Sequence, residues 1–244
     1  MFTNEDWQSI IFDFYKNIFR KPTREETRHY KIYKAAFRDF TKSGWIPPYM
    51  AQFKLSIPDI VHLSKLPSKQ LDDFIYNKFT EKHYKNCKVL IKIIKTYNFP
   101  NPRFLSGAII LYNKKEYTSC CVLLFTLIEQ LIRNTVPKGN STNSNDNIPP
   151  KVKLFLDKTL NPKPVLGYPS QPQHYLMKAA LDNVLEKYFK KANDFQNEPE
   201  EINRNYLAHG MAKREYTHRD CMKLFVVIHF LICCILTKEQ PKND

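Results

Sequence analysis

EYTSCCVLLFTLIEQLIRNT, residues 116–135, places Tyr117, Cys120, Cys121, Leu124, Leu127, Ile128, Leu131 and Ile132 at steps of three and four. That period matches 3.6 residues per turn and predicts an amphipathic helix with one broad apolar face. The same spacing recurs on both sides. Trp7, Ile10, Ile11, Phe14 and Ile18 mark a helix over 4–20, and Tyr30, Tyr33, Phe37 and Phe40 mark one over 24–43. Gly44 followed by Pro47 and Pro48 should stop the latter. A further helix is expected over about 68–97, between Pro67 and Pro100. Others are expected at 151–160, at 174–193 (Met177, Leu181, Val184, Leu185, Tyr188, Phe189), and from 217 to about 237, with Thr217 as cap and Asp220 as capping-box partner. No alternating strand pattern and no internal repeat occurs, so the expected class is all-α. Residues 1–100 read as an N-terminal helical region and 101–244 as a second helical domain. PKGNSTNSNDNIPP (137–150) has no apolar period and reads as a mobile loop.

Composition narrows the function. The chain has 244 residues and a formal charge of +14, with 17 Phe and 14 Tyr available for a core. Such a charge favours a polyanionic partner, nucleic acid foremost. Only 5 glycines occur, against about 17 at the usual ~7%. None forms a GxG, which removes the glycine-rich phosphate loops of Rossmann, P-loop and kinase folds. The longest apolar run, LFVVIHFLICCIL (224–236), would span about 20 Å as a helix and predicts a buried element rather than a membrane span. The acidic start MFTNEDWQ lacks the layout of a signal peptide. The 6 cysteines include no CxxC, and Cys120, Cys121, Cys233 and Cys234 lie among aliphatic residues. Free apolar thiols, a reduced cytoplasmic location, and no metal or other cofactor are the resulting expectations.

Chemistry concentrates in Asn203-Arg204-Asn205-Tyr206-Leu207-Ala208-His209-Gly210, followed by the basic Lys213, Arg214, His218 and Arg219. A guanidinium forks onto phosphate oxygens and an imidazole moves a proton near neutral pH, so the two suit phosphodiester cleavage. Spacing alone is weak, because Arg24 and His29 repeat it on a charged helix face. Residues five apart on a helix diverge by roughly 140°. Arg204 and His209 therefore need either a helix break at Gly210 or a second chain across a two-fold axis.

RNYLAHG, with the apolar helix after it and the Glu129-bearing helix before it, resembles the HEPN domain family (higher eukaryote and prokaryote nucleotide-binding), over roughly 100–238. The family hallmark is an Arg, a polar residue, a short spacer and a His. The resemblance implies a HEPN-type helical bundle and a metal-independent endoribonuclease, homodimeric, of toxin or antiviral defence type. It would leave a 2′,3′-cyclic phosphate and a 5′-hydroxyl. Arg204 and His209 would be catalytic, Asn205 would position them, and Glu129, Asn203 and Tyr206 would support them. Lys213, Arg214, His218 and Arg219 would bind RNA. An antitoxin or regulatory protein is a further partner it implies. The Tyr that one branch carries two residues after the His is Met211 here, which weighs against a modifying antitoxin acting there.

Other readings stand beside these. A non-catalytic HEPN-type module binding RNA, a nucleotide or a protein is the alternative, and a DNA-binding protein a third. Arg204 can instead pair with Glu200 or Glu201, and Glu129 with Arg133 or Arg204. His209 can be a simple helix C-terminal histidine, and His229 a core histidine. Asn203 and Tyr206 can pack or touch substrate, and Trp45 and Tyr49 can pack or stack on a base. Lys78, Lys82, Lys85, Lys88, Lys92 and Lys95 step along one helix, explained equally by solvation and by an RNA-tracking stripe.

Overall fold

In the computed structural model, residues 35–46, 57–135, 180–181, 183–190 and 195–236 are described, and every regular element among them is helical, with no strand. Expectations at 4–20, 24–34, 137–150 and 151–160, and those for Arg24, His29, Tyr49 and the side chains of Cys233 and Cys234, lie outside the described residues. We label the helices α1 (35–40, continued by a 3-10 turn at Thr41–Ser43), α2 (Ile57–Leu63), α3 (Ser68–Thr96), α4 (Pro102–Asn113), α5 (Tyr117–Thr135), α6 (180–181 and 183–188), α7 (Arg204–Ala208) and α8 (His218–Leu236).

α8 is the central element. Cys221, Met222, Leu224, Phe225 and every residue from Val226 to Leu231 are buried. A helix apolar on all sides must be surrounded, and α5 and α3 pack directly against it while α4 packs on α5. The apolar residues of α5 quoted from the sequence, Cys120 to Ile132, are all at 0–1% exposure. Among the described residues no helix is long and apolar enough to cross a membrane.

One buried cluster among the described residues runs across residue 100, where the two regions meet. Phe37, Phe40, Trp45, Leu71, Ile75 and Phe79 belong to the same buried cluster as Leu124, Ile128, Tyr188 and Phe225. The reason lies in α3, whose Leu71, Ile75, Phe79, Cys87, Leu90 and Ile94 are buried, and which packs on α8. Polar bonds reinforce the joint. Gly44 ends the first segment in the left-handed region at φ 77°. Its carbonyl accepts from Tyr188 Oη at 2.5 Å, and Lys223 Nζ donates to Ser43 O at 2.8 Å. Trp45 is fully buried, stacks on Phe79 at 5.4 Å, and donates Nε1–H to Asp72 at 2.6 Å. Its role is packing. Burial works to raise the pKa of Asp72, but the charge and hydrogen bonds of Lys223, with bonds from Arg219 and Trp45, outweigh it and hold the carboxyl below its usual range.

α3 fills the helical region expected over about 68–97, with a break inside it. Glu81 is extended, and Lys82, His83 and Tyr84 take φ of 52°, 57° and 63°. No glycine or proline marks the place. Asn86 Nδ2 bridges the break to Lys78 O at 2.7 Å, and Tyr84 comes to rest edge-on to His218, ring centroids 5.2 Å apart. The start of α8 matches its expectation: Thr217 N donates to Asp220 Oδ2 at 2.7 Å, and Asp220 N donates back to Thr217 Oγ1 at 3.4 Å. Cys87, Cys120, Cys121 and Cys221 are free and buried, and burial raises the pKa of Cys121, so it acts as a small apolar group.

His229 lies inside α8 and is buried, as the core reading has it. Burial pushes its pKa down from 6.5 to about 4. The unfolded chain therefore takes up this proton first as pH falls, and stability declines from about pH 6.5 to about pH 4. At about 1.4 kcal/mol per pH unit, the loss across that window is about 3 kcal/mol. Urea melts at pH 7 and pH 4.5 check this, and His229→Gln should flatten the difference.

Candidate functional site

The site grows from one asparagine. Asn203 is extended (φ −134°, ψ 121°), and its Oδ1 accepts from the backbone N–H groups of Asn205 and Tyr206. That satisfies two of the orphan donors of α7 and makes Asn203 its N-cap. Its Nδ2 donates to Lys190 O at 3.1 Å and Lys187 O at 3.5 Å, which ties α7 to the end of α6. Asn203 is 2% exposed, so its work is capping and packing. Tyr206 is equally buried, with Oη donating to Asn197 O at 2.7 Å and its ring edge-on to Phe195. It also packs.

Arg204 opens the helix and turns toward α5. Its Nε donates to Glu129 Oε1 at 2.5 Å, and its Nη1 to Asn205 Oδ1 at 3.3 Å. Glu129 is also 3.6 Å from Arg133, one turn along α5. Both sequence-level pairings of Glu129 therefore exist together, whereas Glu201 pairs with Lys187 instead of Arg204. Asn205 is anchored in turn, its Nδ2 donating to Lys190 O at 2.9 Å. The guanidinium is thus held on two sides while its side chain stays 26% exposed. An Arg fixed by a carboxylate and an amide loses little further entropy when its remaining N–H groups meet an anion.

α7 ends one residue before the histidine. His209 is its C-cap, its N–H still bonded to Asn205 O, and Gly210 takes φ 68°. No atom lies within 4 Å of a Cβ built on Gly210, so glycine is required there by the backbone angle alone. Met211 N and Ala212 N then both donate to Tyr206 O and reverse the chain. His209 is exposed, its ring edge-on to Phe195 at 5.4 Å, and among the described residues its ring nitrogens have no hydrogen-bond partner. The helix does stop, but Arg204 faces Glu129 and His209 faces solvent. No bond joins them within the chain. Phe195 carried no sequence signal as the ring partner of His209.

Three of the four residues expected to bind RNA are engaged inside the fold. Arg214 donates both Nη groups to Asp220 at 3.1 and 3.2 Å and lies over the Tyr216 ring. Burial works to lower its pKa, yet Asp220 outweighs this and raises it. Arg219 holds Asp72 at 2.6 Å and Asp73 at 2.7 Å and covers Tyr76. His218 is enclosed by tyrosines: Nδ1 is 3.1 Å from Tyr76 Oη, Nε2 bonds Tyr112 Oη, and Tyr84 and Tyr117 meet its ring edge-on. Burial lowers its pKa. Lys213 alone of the four is exposed with no ion pair among the described residues. No group of three or more His, Cys, Asp or Glu among the described residues is placed to hold a metal ion. Comparison with protein-family models, with curated proteins and with solved structures finds no match.

Proposed function

We propose that this chain is a HEPN-type endoribonuclease that works as a homodimer and needs no metal. The observation that carries the reading is a guanidinium held by Glu129 and Asn205 at one end of a five-residue helix, with a solvent-facing imidazole at the other. Within one chain the two diverge, so a two-fold axis that juxtaposes two such helices would bring an Arg204 and a His209 from different subunits to one phosphodiester.

In the proposed reaction His209 removes the proton of a ribose 2′-hydroxyl, and that oxygen attacks the adjacent phosphorus. The P–O5′ bond breaks, and the departing 5′-oxygen takes a proton from the second imidazole. Arg204 neutralises the charge gathering on the phosphorane oxygens. Products are a 2′,3′-cyclic phosphate and a 5′-hydroxyl, consistent with a toxin or antiviral defence role in the cytoplasm under an antitoxin or regulatory partner. The test is RNA cleavage in EDTA with end-group analysis. Absence of cyclic phosphate ends, or equal activity in Arg204→Ala and His209→Ala proteins, rejects the mechanism.

Glu129 in this scheme is a positioning residue. Glu129→Ala is expected to cut kcat by about 10²-fold, the scale of a misplaced catalytic group, with Glu129→Gln retaining more because it still accepts a hydrogen bond. Single-turnover kinetics check this ranking. The same Glu129–Arg204 pair also favours a second reading, a non-catalytic binding module in which the ion pair is only structural. Under that reading RNA binding survives both alanine changes and no cleavage occurs at any pH.

A further inference from the structure

The lysine face of α3 divides at the helix break, and its cations differ from those around the motif. An open groove of about 370 Å³ is lined by Lys82, His83, Lys85, Lys88, Val89 and Lys92. The five basic residues are exposed, and Val89 is half-buried between them. Lys78 pairs with Glu81, but Lys82, Lys85, Lys88 and Lys92 have no ion pair among the described residues. Arg214 and Arg219, by contrast, are neutralised by Asp220, Asp72 and Asp73. Unpaired positive charge therefore gathers at this groove, whereas of Lys213, Arg214 and Arg219 beside the Arg204 helix only Lys213 keeps it.

Backbone strain sharpens the point. Lys82, His83 and Tyr84 are three successive non-glycine residues in the left-handed region, a strained conformation that tends to occur at ligand-contacting sites. The two residues at the break, Lys82 and His83, line the same groove as Lys85, Lys88 and Lys92 of the following helical turns. Tyr84, which follows directly, is 45% exposed. A cationic channel with an exposed aromatic beside it matches how single strands are held, phosphates on lysines and a base on a ring. A membrane surface fits less well, because the other exposed large apolar residues among those described (Ile110, Val122, Met211) lie on other elements.

We propose that this groove binds the phosphodiester backbone of single-stranded RNA, with Tyr84 stacking on a base. Resting on the ribonuclease reading for its choice of RNA, it adds a substrate subsite apart from the Arg204 helix. His218 touches both Tyr84 and Tyr117, and Glu129 stands twelve residues beyond Tyr117 on α5, about 18 Å at ~1.5 Å per residue. A long strand can engage both places and a dinucleotide only one.

The experiment measures binding of a fluorescent oligouridylate to full-length His209→Ala protein across a salt series. Lys85→Gln/Lys88→Gln/Lys92→Gln in that background is expected to weaken binding roughly tenfold or more and to reduce the slope of log K against log salt by about 2, near 0.7 per lost phosphate contact on a single strand. Lys69→Gln/Lys114→Gln, also exposed, serves as the control and should change binding less than twofold. Equal losses in the triple variant and the control, or no loss in the triple variant, overturn the proposal, as does a larger loss for duplex DNA than for the oligouridylate. Cleavage is read separately with His209 restored. The triple change should raise KM for a long RNA and leave a dinucleoside monophosphate unaffected. If no protein cleaves anything, the ribonuclease reading fails while the binding result still judges the groove.

Discussion

His209→Ala is expected to abolish most RNA cleavage, lowering kcat by about 10²- to 10⁴-fold, the range over which a positioned general acid–base acts. The size follows from chemistry: a ribose hydroxyl is a poor nucleophile until a base takes its proton, and in the proposed dimer each imidazole serves at one end of the displacement. Folding should be untouched, because His209 is exposed and its ring meets only the edge of Phe195. Circular dichroism and melting temperature should therefore match the parent while activity collapses. Arg204→Ala should fall comparably, through loss of phosphorane stabilisation. It differs in a second respect, because it leaves Glu129 beside Arg133 without its closer partner. Arg204→Lys restores charge but not the fork that spans Glu129 and Asn205, so it should recover little. Wild-type-like cleavage by His209→Ala protein, free of contaminating nuclease, would remove the catalytic assignment.

Asp220→Ala is expected to be the most destabilising single change away from the apolar core, at about 4 kcal/mol. Two contributions combine. Loss of the Thr217–Asp220 capping box costs about 1 kcal/mol. The rest comes from Arg214, whose guanidinium is left facing an empty site. Removing one partner of a largely buried ion pair costs about 3 kcal/mol, and the Asp220 side chain is only 10% exposed. For a chain of this size the melting temperature should drop on the order of 10 °C. Asp220→Asn should cost less, since an amide oxygen still caps α8 while the charge is lost. Arg214→Met in the Asp220→Ala background should recover part of the stability, which urea titration reads directly. A loss below about 1 kcal/mol would mean that water replaces the carboxylate without penalty.

Much of the frame was legible beforehand because it follows from local rules. The period of α5, the glycine stop at 44 and the Thr217–Asp220 cap are written in residues a few positions apart, and the structure contains all three. α4 has a local signature as well, Asn101 as cap with Pro102 after it, although Pro100 just before it also reads as the end of the preceding helix. The break at 81–84 had no such signature. Lys82, His83 and Tyr84 are poor candidates for left-handed backbone, and their conformation is set by what packs on either side.

The site divides along the same line. That Arg204 and Asn205 open one short helix and His209 caps it follows from their adjacency in sequence, as does the glycine turn just beyond it. Which cations are available for a polyanion does not. Arg214 and Arg219 read as free charges beside the motif, yet their partners include Asp72 and Asp73, nearly 150 positions away from Arg219. The sequence by itself determined the all-α class, a buried apolar helix and a basic balance, since periodicity and composition are properties of neighbours and sums. The tertiary structure decided that one core spans residue 100, that Glu129 holds Arg204, and that the unpaired lysines face a groove on α3. Those outcomes depend on which distant side chains meet, and burial makes an unpaired charge too costly to leave where it falls.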